Sequence, residues 1–401
     1  MKILQLCLKP PIPAKDGGCI AMNNITQGLL AAGHSLKILT IYTQKHDFLL
    51  EELPEDYIEK TQIEGVYVDT TLNVVDAFAN FMTADSYNIS RFFSTDYDIK
   101  LSHILEKEKF DVIHLESLFM TPYVGTIRRY GNKTPIVLRS HNLEYVIWEK
   151  IAIGTKNPFK RTYLNYLAKK LREYELRLLN EVNGIAAISE EDRKRFLSLG
   201  VRKKSITIPF GINLSEYNNK IQKDEPELAL FHLGAMDWGP NLEGILWFLE
   251  EIWPKIHQRF PKLKMYLAGR NMSNEVFQFK HKNVELIGEV DSAIDFIQSK
   301  AIMVVPLLSA GGIRVKIIEG LALGKCIIST SLGAEGINCT HEKNIMLADT
   351  PDEWLMAIEK LMVEKKRNEI SAAGKQHVQD HFDNTIITKN LVAFYQELIS
   401  V

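Results

Sequence analysis

The chain of 401 residues carries 48 Lys and Arg against 50 Asp and Glu, a formal net charge of -2. This balance disfavours a dedicated nucleic-acid-binding protein, and the apolar and charged fractions of 46% and 24% exclude a disordered or collagen-like chain. No apolar run approaches the ~20 residues of a membrane-spanning helix, and the first strand runs into prolines rather than forming a secretory signal. We expect a cytoplasmic protein of two or three domains.

Apolar strands alternate with segments of helical spacing, the pattern of a parallel sheet covered by helices on both faces. A buried strand is predicted over 2–8, followed by a loop rich in Pro and Gly and a helix over 20–32. The hydroxyl of Ser189 is expected to cap the N-terminus of a helix, with Asp192 as the reciprocal capping residue at the third position. The other strands of this half are predicted at 35–42, 111–115, 135–139, 184–188 and 206–209.

Apolar periodicity is lost after Gly211, and 213–227 is rich in Asn, Lys, Asp and Glu, as expected of an exposed connection. We place the domain boundary there, between an N-terminal domain of 1–212 and a C-terminal domain of 213–383. The second domain repeats the first design, so the sequence predicts an α/β protein with two Rossmann-like domains. Its predicted strands are 228–233, 264–268, 284–287, 302–306 and 326–330, its helices start at 241 and 313, and three helices follow 351.

The four cysteines show no CxxC spacing and have no neighbouring His at metal-ligand spacing. Such cysteines are typical of reduced thiols in or near the core. We therefore expect neither a disulfide nor a metal site from Cys7, Cys19, Cys326 and Cys339.

A strong functional signal follows the predicted strand at 302–306. A loop with Gly311 and Gly312 leads into a helix whose free amides point back over the edge of the sheet, the arrangement of an anion site. Arg314 and Lys316 stand where a diphosphate would arrive. They could instead be solvated residues of the first helical turn. Positive charge at a helix N-terminus opposes the helix dipole, however, so its presence there needs a reason such as a bound anion. The segment therefore predicts phosphate binding.

Two turns further along the same helix, the carboxylate of Glu319 could accept hydrogen bonds from both hydroxyls of a ribose. The alternative is an ordinary exposed helix glutamate. The run 311–319 and the GLALG that follows it resemble the donor-nucleotide segment of retaining GT-B glycosyltransferases of family 4 (glycosyl transferases group 1). Four further segments resemble that family in the right order, namely AAISEEDR at 186–193, IPFGIN at 208–213, LGAMDWGPN at 233–241 and LAG at 267–269.

The resemblance implies two Rossmann-like domains that face a central cleft. It implies a hexosyltransferase-like enzyme that moves a sugar from a nucleotide-sugar donor to a glycan or lipid-linked acceptor, in cell-surface polysaccharide synthesis. No metal and no further cofactor are expected. The nucleotide would bind the second domain and the acceptor the first, with the last helix, about 384–401, packing back on the first domain.

The resemblance also implies roles for single residues. Arg314, Lys316 and the amides of Gly311 and Gly312 would stabilise the leaving diphosphate, and Glu319 would bind the ribose. The backbone of Val290 would contact the base of the donor nucleotide.

The sequence departs from the family pattern at two places. The family carries a Glu, seven intervening residues and a second Glu, whereas Gly311 stands at the first position and only Glu319 remains. Many members also place an Arg and a Lys in the loop equivalent to 234–240, which has neither. Arg314 and Lys316 are therefore the expected substitutes.

The first domain contributes two candidate features. His141 follows the strand at 135–139, and the family has a His at this strand end that contacts the donor sugar; a lone His is otherwise more often structural. Gly17 and Gly18 stand at the end of the first loop. The resemblance places this Gly pair at the cleft, where a backbone without side chains can approach the substrate, although Gly pairs mostly mark turns. Both features are therefore assigned to the cleft by resemblance.

Two charged segments have competing interpretations. Asp96 and Asp98 form a DxD, which holds a metal in another glycosyltransferase architecture, but they do not follow a buried strand and are assigned no metal. The segment 156–177 has the spacing of a basic amphipathic helix. It is either a domain helix with a solvated face or a peripheral contact with an anionic membrane.

Two alternative functions stay open. A non-hydrolysing sugar-nucleotide epimerase shares the architecture, but no convincing acid and base pair is visible for it. A catalytically inactive GT-B binding or scaffold protein is favoured by the missing first Glu. The joint presence of Arg314, Lys316, Glu319 and His141 argues against an inactive protein.

Overall fold

The computed structural model describes residues 1–13, 17–70, 89, 91–131, 133–155, 157–218, 225–272, 276, 282–309 and 313–400. Gly311 and Gly312 lie outside these described residues. The chain divides into two compact units. Unit 1 comprises Met1–Gly211 and Asn384–Val401, and unit 2 comprises Ile212–Asp383.

Unit 1 is built on a parallel sheet with the order β3-β2-β1-β4-β5-β6-β7. Its strands are β1 (Lys2–Cys7), β2 (Ser35–Tyr42), β3 (Glu64–Tyr67), β4 (Val112–Leu115), β5 (Ile136–Ser140), β6 (Gly184–Ala187) and β7 (Lys204–Thr207). The described α-helices before residue 212 are α1 (Gly17–Ala31), α2 (Glu55–Thr61), α3 (Thr95–Lys107), α4 (Val124–Tyr130), α5 (Glu144–Gly154), α6 (Pro158–Leu179) and α7 (Glu190–Ser198).

The central strand β1 contributes to cores on both faces of its sheet because successive side chains alternate between faces. Ile3 packs in a cluster with Ile25, whereas Leu4 and Leu6 pack in a second cluster with Leu101. Such strands have no solvent face, which is why they appear in the sequence as continuous apolar runs.

Unit 2 is built on a second parallel sheet with the order β10-β9-β8-β11-β12-β13. Its strands are β8 (Glu227–Leu233), β9 (Met265–Ala268), β10 (Val284–Gly288), β11 (Lys300–Val305), β12 (Cys326–Ser329) and β13 (Met346–Leu347). Its described helices are α8 (Leu214–Asn218), α9 (Gly239–Trp247), α10 (Trp253–Arg259), α11 (Ala293–Gln298), α12 (Val315–Ala322), α13 (Pro351–Leu361) and α14 (Glu364–Phe382).

The last helix, α15 (Asn384–Ile399), belongs to unit 1 and packs against α1. Gly28 allows this close approach, because a Cβ there would lie 2.0 Å from the Oγ1 of Thr388. The Nδ2 of Asn384 donates to the carbonyl of Asn24 at 2.6 Å. The C-terminal helix is thus an integral layer of unit 1.

The structure corrects the prediction for the first loop. Helix α1 begins at Gly17, so Gly17 and Gly18 lie in its first turn rather than in a loop. Glycine is a poor helix former, and the burial of Cys19 and Met22 stabilises this start. The predicted exposed connection at 213–227 is exposed at 213, 215 and 216, and it contains helix α8, which carries a residue of the site described below; 219–224 lie outside the described residues. Cys7, Cys19 and Cys326 are buried and Cys339 is half-buried, in or near the core as predicted, and none of the four forms a disulfide.

Candidate functional site

The site in unit 2 lies where β8 and β9 end at the same edge of the sheet. Gly234 follows β8 and Gly269 follows β9, and their backbones touch. A Cβ on Gly269 would lie 1.8 Å from the carbonyl oxygen of Gly234. Gly269 also has φ +145, a conformation that other residues rarely adopt. Two glycines are therefore required to leave room at this edge, where ligands bind in parallel α/β sheets.

Lys316 brings its ammonium group to this edge from the first turn of α12. Its Nζ donates to Oδ1 of Asn241 at 2.8 Å and lies 3.5 Å from Nε2 of His232. A Cβ at Gly234 would lie 2.5 Å from Nζ, so that glycine makes room for the amine. Burial lowers the pKa of Lys316 to about 7, although Glu319 opposes the shift. The amine is thus held by neutral partners, and an arriving anion would favour its charged form.

His232 holds the amine as a neutral acceptor. Its ring is fully buried, and Nδ1 lies 2.9 Å from the carbonyl oxygen of Val304, so Nδ1 carries the proton and donates to this carbonyl. Burial, and then the charge of Lys316, lower the pKa of His232 well below its ordinary value. Nε2 therefore keeps a lone pair that faces Lys316.

Arg314 is the N-cap of α12, not a first-turn residue, because the helix begins one residue later. It is 4% exposed, so the interpretation as a solvated residue is wrong. Its Nε and Nη2 donate to the carbonyls of Gly333 at 3.1 Å and Leu332 at 2.6 Å, and Nη2 lies 3.8 Å from the carboxylate of Glu335. Nη1 is buried without a hydrogen-bond partner in the described part of the chain. Arg314 therefore keeps one donor for an acceptor that the described chain does not supply.

Glu319 is a half-buried residue of α12 rather than an ordinary exposed one. The hydroxyl of Tyr217, on α8, donates to its Oε1 at 3.1 Å. Burial raises the pKa of Glu319, and the contacts with Tyr217 and Lys316 oppose that shift. Val290 is half-buried and lies two residues beyond β10. The structure thus brings Lys316 and Glu319 close enough to interact.

Unit 1 carries a second polar cluster, at the ends of β4 and β5. Glu116 is fully buried, and its Oε1 accepts from Nε2 of Gln5 at 2.8 Å and lies 3.2 Å from Nε2 of His114. Its Oε2 lies 3.3 Å from Nη1 of Arg139 and 3.3 Å from Nε2 of His141. Burial opposes the charge of Glu116, but His114 and Arg139 above all hold its pKa well below the ordinary value.

His141 follows β5, and its side chain is 19% exposed. Burial lowers its pKa, with Glu116 opposing and Arg139 adding to the shift. The ring is therefore neutral at neutral pH. The structure places this residue at a strand end, as expected, and joins it to a carboxylate that the sequence analysis did not single out.

The sequence analysis missed several residues of the two clusters, yet a signal was present. Gln5, His114 and His232 each have apolar neighbours on both sides within their strands. Because a buried polar group is costly without a partner, such residues indicate a hydrogen-bond network. Asn241 and Tyr217 gave no comparable signal.

The DxD motif lies on a helix. Asp96 and Asp98 stand in the first turn of α3, and Asp98 accepts from Oγ1 of Thr126. Within the described ranges, no group of three or more His, Cys, Asp or Glu is placed to hold a metal ion.

The predicted basic helix is α6, whose apolar stripe is buried against the core of unit 1. The interpretation as a domain helix is thus confirmed for that stripe. The last turn of α5 and the first turn of α6 expose two large apolar side chains, Ile153 at 77% and Phe159 at 87%. Lys156 lies outside the described residues. None of the helices in the described part of the chain is long and apolar enough to cross a membrane.

Comparison with known families matches most of the chain. Residues 20–216 match the family model described as Glycosyltransferase Family 4, and residues 227–364 match the model described as Glycosyl transferases group 1. An "uncharacterized 44.6 kDa protein in cps region" of Klebsiella pneumoniae is 22% identical, over 96% of this chain and 97% of that protein.

Solved structures share the architecture over nearly the whole chain. Sucrose-phosphate synthase from Thermosynechococcus elongatus has a TM-score of 0.68 at 14% identity, covering 100% of both chains. A glycosyltransferase from Rickettsia africae has a TM-score of 0.66 at 14% identity, covering 99% of this chain and 98% of that one. Anabaena HepE, in complex with UDP and glucose, has a TM-score of 0.63 at 13% identity, covering 99% of both.

Proposed function

Because this chain belongs to the group 1, family 4 glycosyltransferases, we propose that it transfers a sugar from a nucleotide-sugar donor to a glycan or lipid-linked acceptor, with retention of anomeric configuration. The predicted family and the α/β GT-B fold class are confirmed. The HepE complexes with UDP and UDP-glucose support a nucleotide-sugar donor. The name of the Klebsiella relative supports a role in cell-surface polysaccharide synthesis.

The observation that carries the proposal is the ammonium group of Lys316 at the edge of the unit 2 sheet. Among the described residues, no carboxylate lies within salt-bridge distance of its Nζ, whose polar partners are Asn241 and His232. A cation that gains its charge when an anion arrives is suited to a diphosphate. Arg314 offers the unpartnered Nη1 as a second donor.

In this proposal Lys316 and Arg314 stabilise the leaving diphosphate, on which charge builds as the glycosidic bond breaks. Glu319 binds the ribose of the donor, the backbone at Val290 contacts its base, and His141 contacts the transferred sugar. Gly311 and Gly312 supply backbone amides in place of the family's first Glu. The cations and the helix terminus replace a divalent metal, so the enzyme acts without one.

Donor binding is tested first by thermal shift with UDP, GDP, ADP and their glucose conjugates. Lys316→Met should greatly reduce the stabilisation by the best ligand. Lys325→Met is the matched control, because Lys325 is another lysine of unit 2 whose pKa is lowered by burial, but its Nζ donates to the carbonyl of Gln298 instead. Equal stabilisation of wild type and Lys316→Met would overturn the assignment.

Turnover tests the proposed chemistry. Arg314→Ala and Lys316→Ala should each lower kcat by ~10² to 10³, because each removes a preorganised partner of the leaving group. Glu319→Ala should mainly raise KM, since a ribose contact is equal in the ground and transition states. Excess EDTA should leave the rate unchanged. A rate restored by Mn²⁺ and lost in Asp96→Ala would contradict metal independence.

The product identifies the reaction. Proton NMR of the anomeric signal, compared with that of the donor, should show retained configuration, and an inverted product would refute the proposed stereochemistry. Conversion of the nucleotide sugar to its epimer without transfer would instead indicate an epimerase. Donor binding without either reaction would indicate an inactive binding protein.

The end of α5 and the start of α6 support peripheral membrane contact, through which a cytoplasmic enzyme would reach a lipid-linked acceptor. Exposed Lys160 and Arg161 flank the exposed apolar groups of Ile153 and Phe159. Apolar side chains beside cations fit an anionic interface.

Sedimentation with phosphatidylglycerol vesicles should carry the enzyme down and weaken with salt. Phe159→Ser should reduce this binding. Val363→Ser is the control, since Val363 is an exposed apolar residue of unit 2. Equal recovery with neutral and anionic vesicles would refute the contact.

A further inference from the structure

The buried carboxylate of Glu116 is surrounded by nitrogen atoms on both of its oxygens. Gln5 and Arg139 present N–H donors to it, at 2.8 Å and 3.3 Å. A carboxylate in such surroundings is ionised and can only accept. The Nε2 of His141, 3.3 Å from Oε2, must therefore carry a proton, because a lone pair there would face a negative charge.

We propose that Glu116 is a positioning residue that holds His141 in the tautomer protonated at Nε2, so that Nδ1 offers its lone pair to a hydroxyl group of the carbohydrate substrate. The inference deepens the proposed function and depends on it for the sugar contact. No bond forms or breaks in this step, and no proton leaves the ring. Sugar hydroxyls are the matching chemistry, since each is a donor as well as an acceptor.

The partners of Glu116 are themselves held by other residues, which gives the carboxylate a defined position. The amide nitrogen of Gln5 must face Glu116, because its oxygen would repel the carboxylate, and this leaves Oε1 of Gln5 2.9 Å from the Oγ1 of Thr26. The Nδ1 of His114 and the hydroxyl of Tyr395 share a hydrogen bond of 2.6 Å. The network thus reaches from β1 to α15.

Stability alone is a poor reason for such a network. Buried ion pairs are often no more stabilising than well-packed apolar residues, so Glu116 and Arg139 require another explanation. Gln5, His114, Glu116 and Arg139 are all fully buried, whereas His141 is partly exposed. The network therefore ends on one imidazole that solvent and substrate can reach, as expected if its purpose is to orient that ring.

The tautomer is measured directly on the wild-type protein by long-range ¹H–¹⁵N NMR of the imidazole nitrogens, with the His141 signals assigned from their loss in His141→Gln. The spectrum should show a neutral ring protonated at Nε2. A wild-type ring protonated at Nδ1 overturns the inference, whatever the activity. This readout requires neither turnover nor a Glu116 variant.

Glu116→Gln should relax the tautomer toward a mixture and lower kcat/KM by about 10- to 100-fold, on the scale found when a metal-binding imidazole loses the partner that orients it. Gln5→Leu is the matched control, since it removes another donor from the same carboxylate without touching His141. It should keep the Nε2-protonated spectrum. Loss of that spectrum in Gln5→Leu but not in Glu116→Gln would overturn the role of Glu116.

Two substitutions of His141 separate its nitrogen atoms. The side-chain oxygen of Asn can stand near the position of Nδ1, whereas the amide of Gln reaches the position of Nε2. His141→Asn should therefore keep at least about tenfold more kcat/KM than His141→Gln. The reverse order, or unchanged kcat/KM in His141→Ala, overturns the sugar contact even where the tautomer is as expected. Absence of transfer by wild type refutes the proposed function and leaves the tautomer result standing.

Discussion

The pKa of Lys316 makes donor affinity depend on pH in a defined direction. Its pKa is lowered to about 7 in the free protein, from an ordinary value of 10.5, mainly by burial. A bound diphosphate favours the ammonium form and raises the pKa. Binding therefore takes up protons near neutral pH, and affinity falls as the pH rises through about 7.

The size of the effect follows from the charged fraction of the free amine. With a pKa of about 7, roughly nine tenths of Lys316 is charged at about pH 6 and roughly one tenth at about pH 8. If only the charged form binds the donor, the Kd rises about tenfold over this interval. A nucleotide sugar is the suitable ligand, because its diphosphate does not titrate there.

Isothermal titration calorimetry between about pH 6 and about pH 8 measures the Kd. Repeating the titration in buffers of different ionisation enthalpy gives the number of protons taken up on binding. Wild type should show the tenfold change, and Lys316→Met should bind weakly without it. Lys325→Met should behave like wild type, although burial also lowers the pKa of Lys325, to about 8. Glu319 also titrates with a raised pKa, so Glu319→Gln serves as a second control. A flat wild-type profile, or an unchanged profile in Lys316→Met, would refute the reasoning.

Three further predictions concern the surroundings of the sites. Gly269→Ala should lower the free energy of unfolding by more than ~2 kcal/mol, because Gly269 has a positive φ and a Cβ there would lie 1.8 Å from a carbonyl oxygen. Gly125→Ala is the control and should not have this effect, because a Cβ there meets open space. Chemical denaturation compares the two variants. Burial raises the pKa of Glu175 to about 8, and its carboxyl group accepts from backbone amides at the start of α5. The folded state thus keeps a proton that the unfolded chain releases, so stability falls as the pH rises from about 4.5 to about 8. Over that pH range the Tm of Glu175→Gln should rise relative to the Tm of wild type. A Tm difference that does not change with pH would contradict this. Tyr217→Phe removes the hydrogen-bond donor to Glu319 and should raise the Kd for the nucleotide by less than about tenfold in the same calorimetry. A larger loss of affinity would indicate that Tyr217 contacts the ligand directly.

Much of the succession of strands and helices could be predicted from the chain itself. The run 35–42 predicted one buried strand, and β2 spans Ser35–Tyr42. Ser189 predicted the start of α7, and its Oγ accepts from the amide of Asp192 at 3.0 Å. Lys316 and His141 were singled out because they stand at a helix start and at a strand end. These signals are local, since they depend on the period of apolar residues and on capping chemistry.

Only the tertiary structure decided which polar groups meet. Gln5 and Glu116 are 111 positions apart and Lys316 and His232 are 84 apart, yet each pair is in contact. In unit 1 the strand order places β1 beside β4, and β4 beside β5, so the polar ends of three strands converge. A local pattern shows which face of a strand is buried. The neighbour of that strand depends on strand order, which the packing of the whole unit determines.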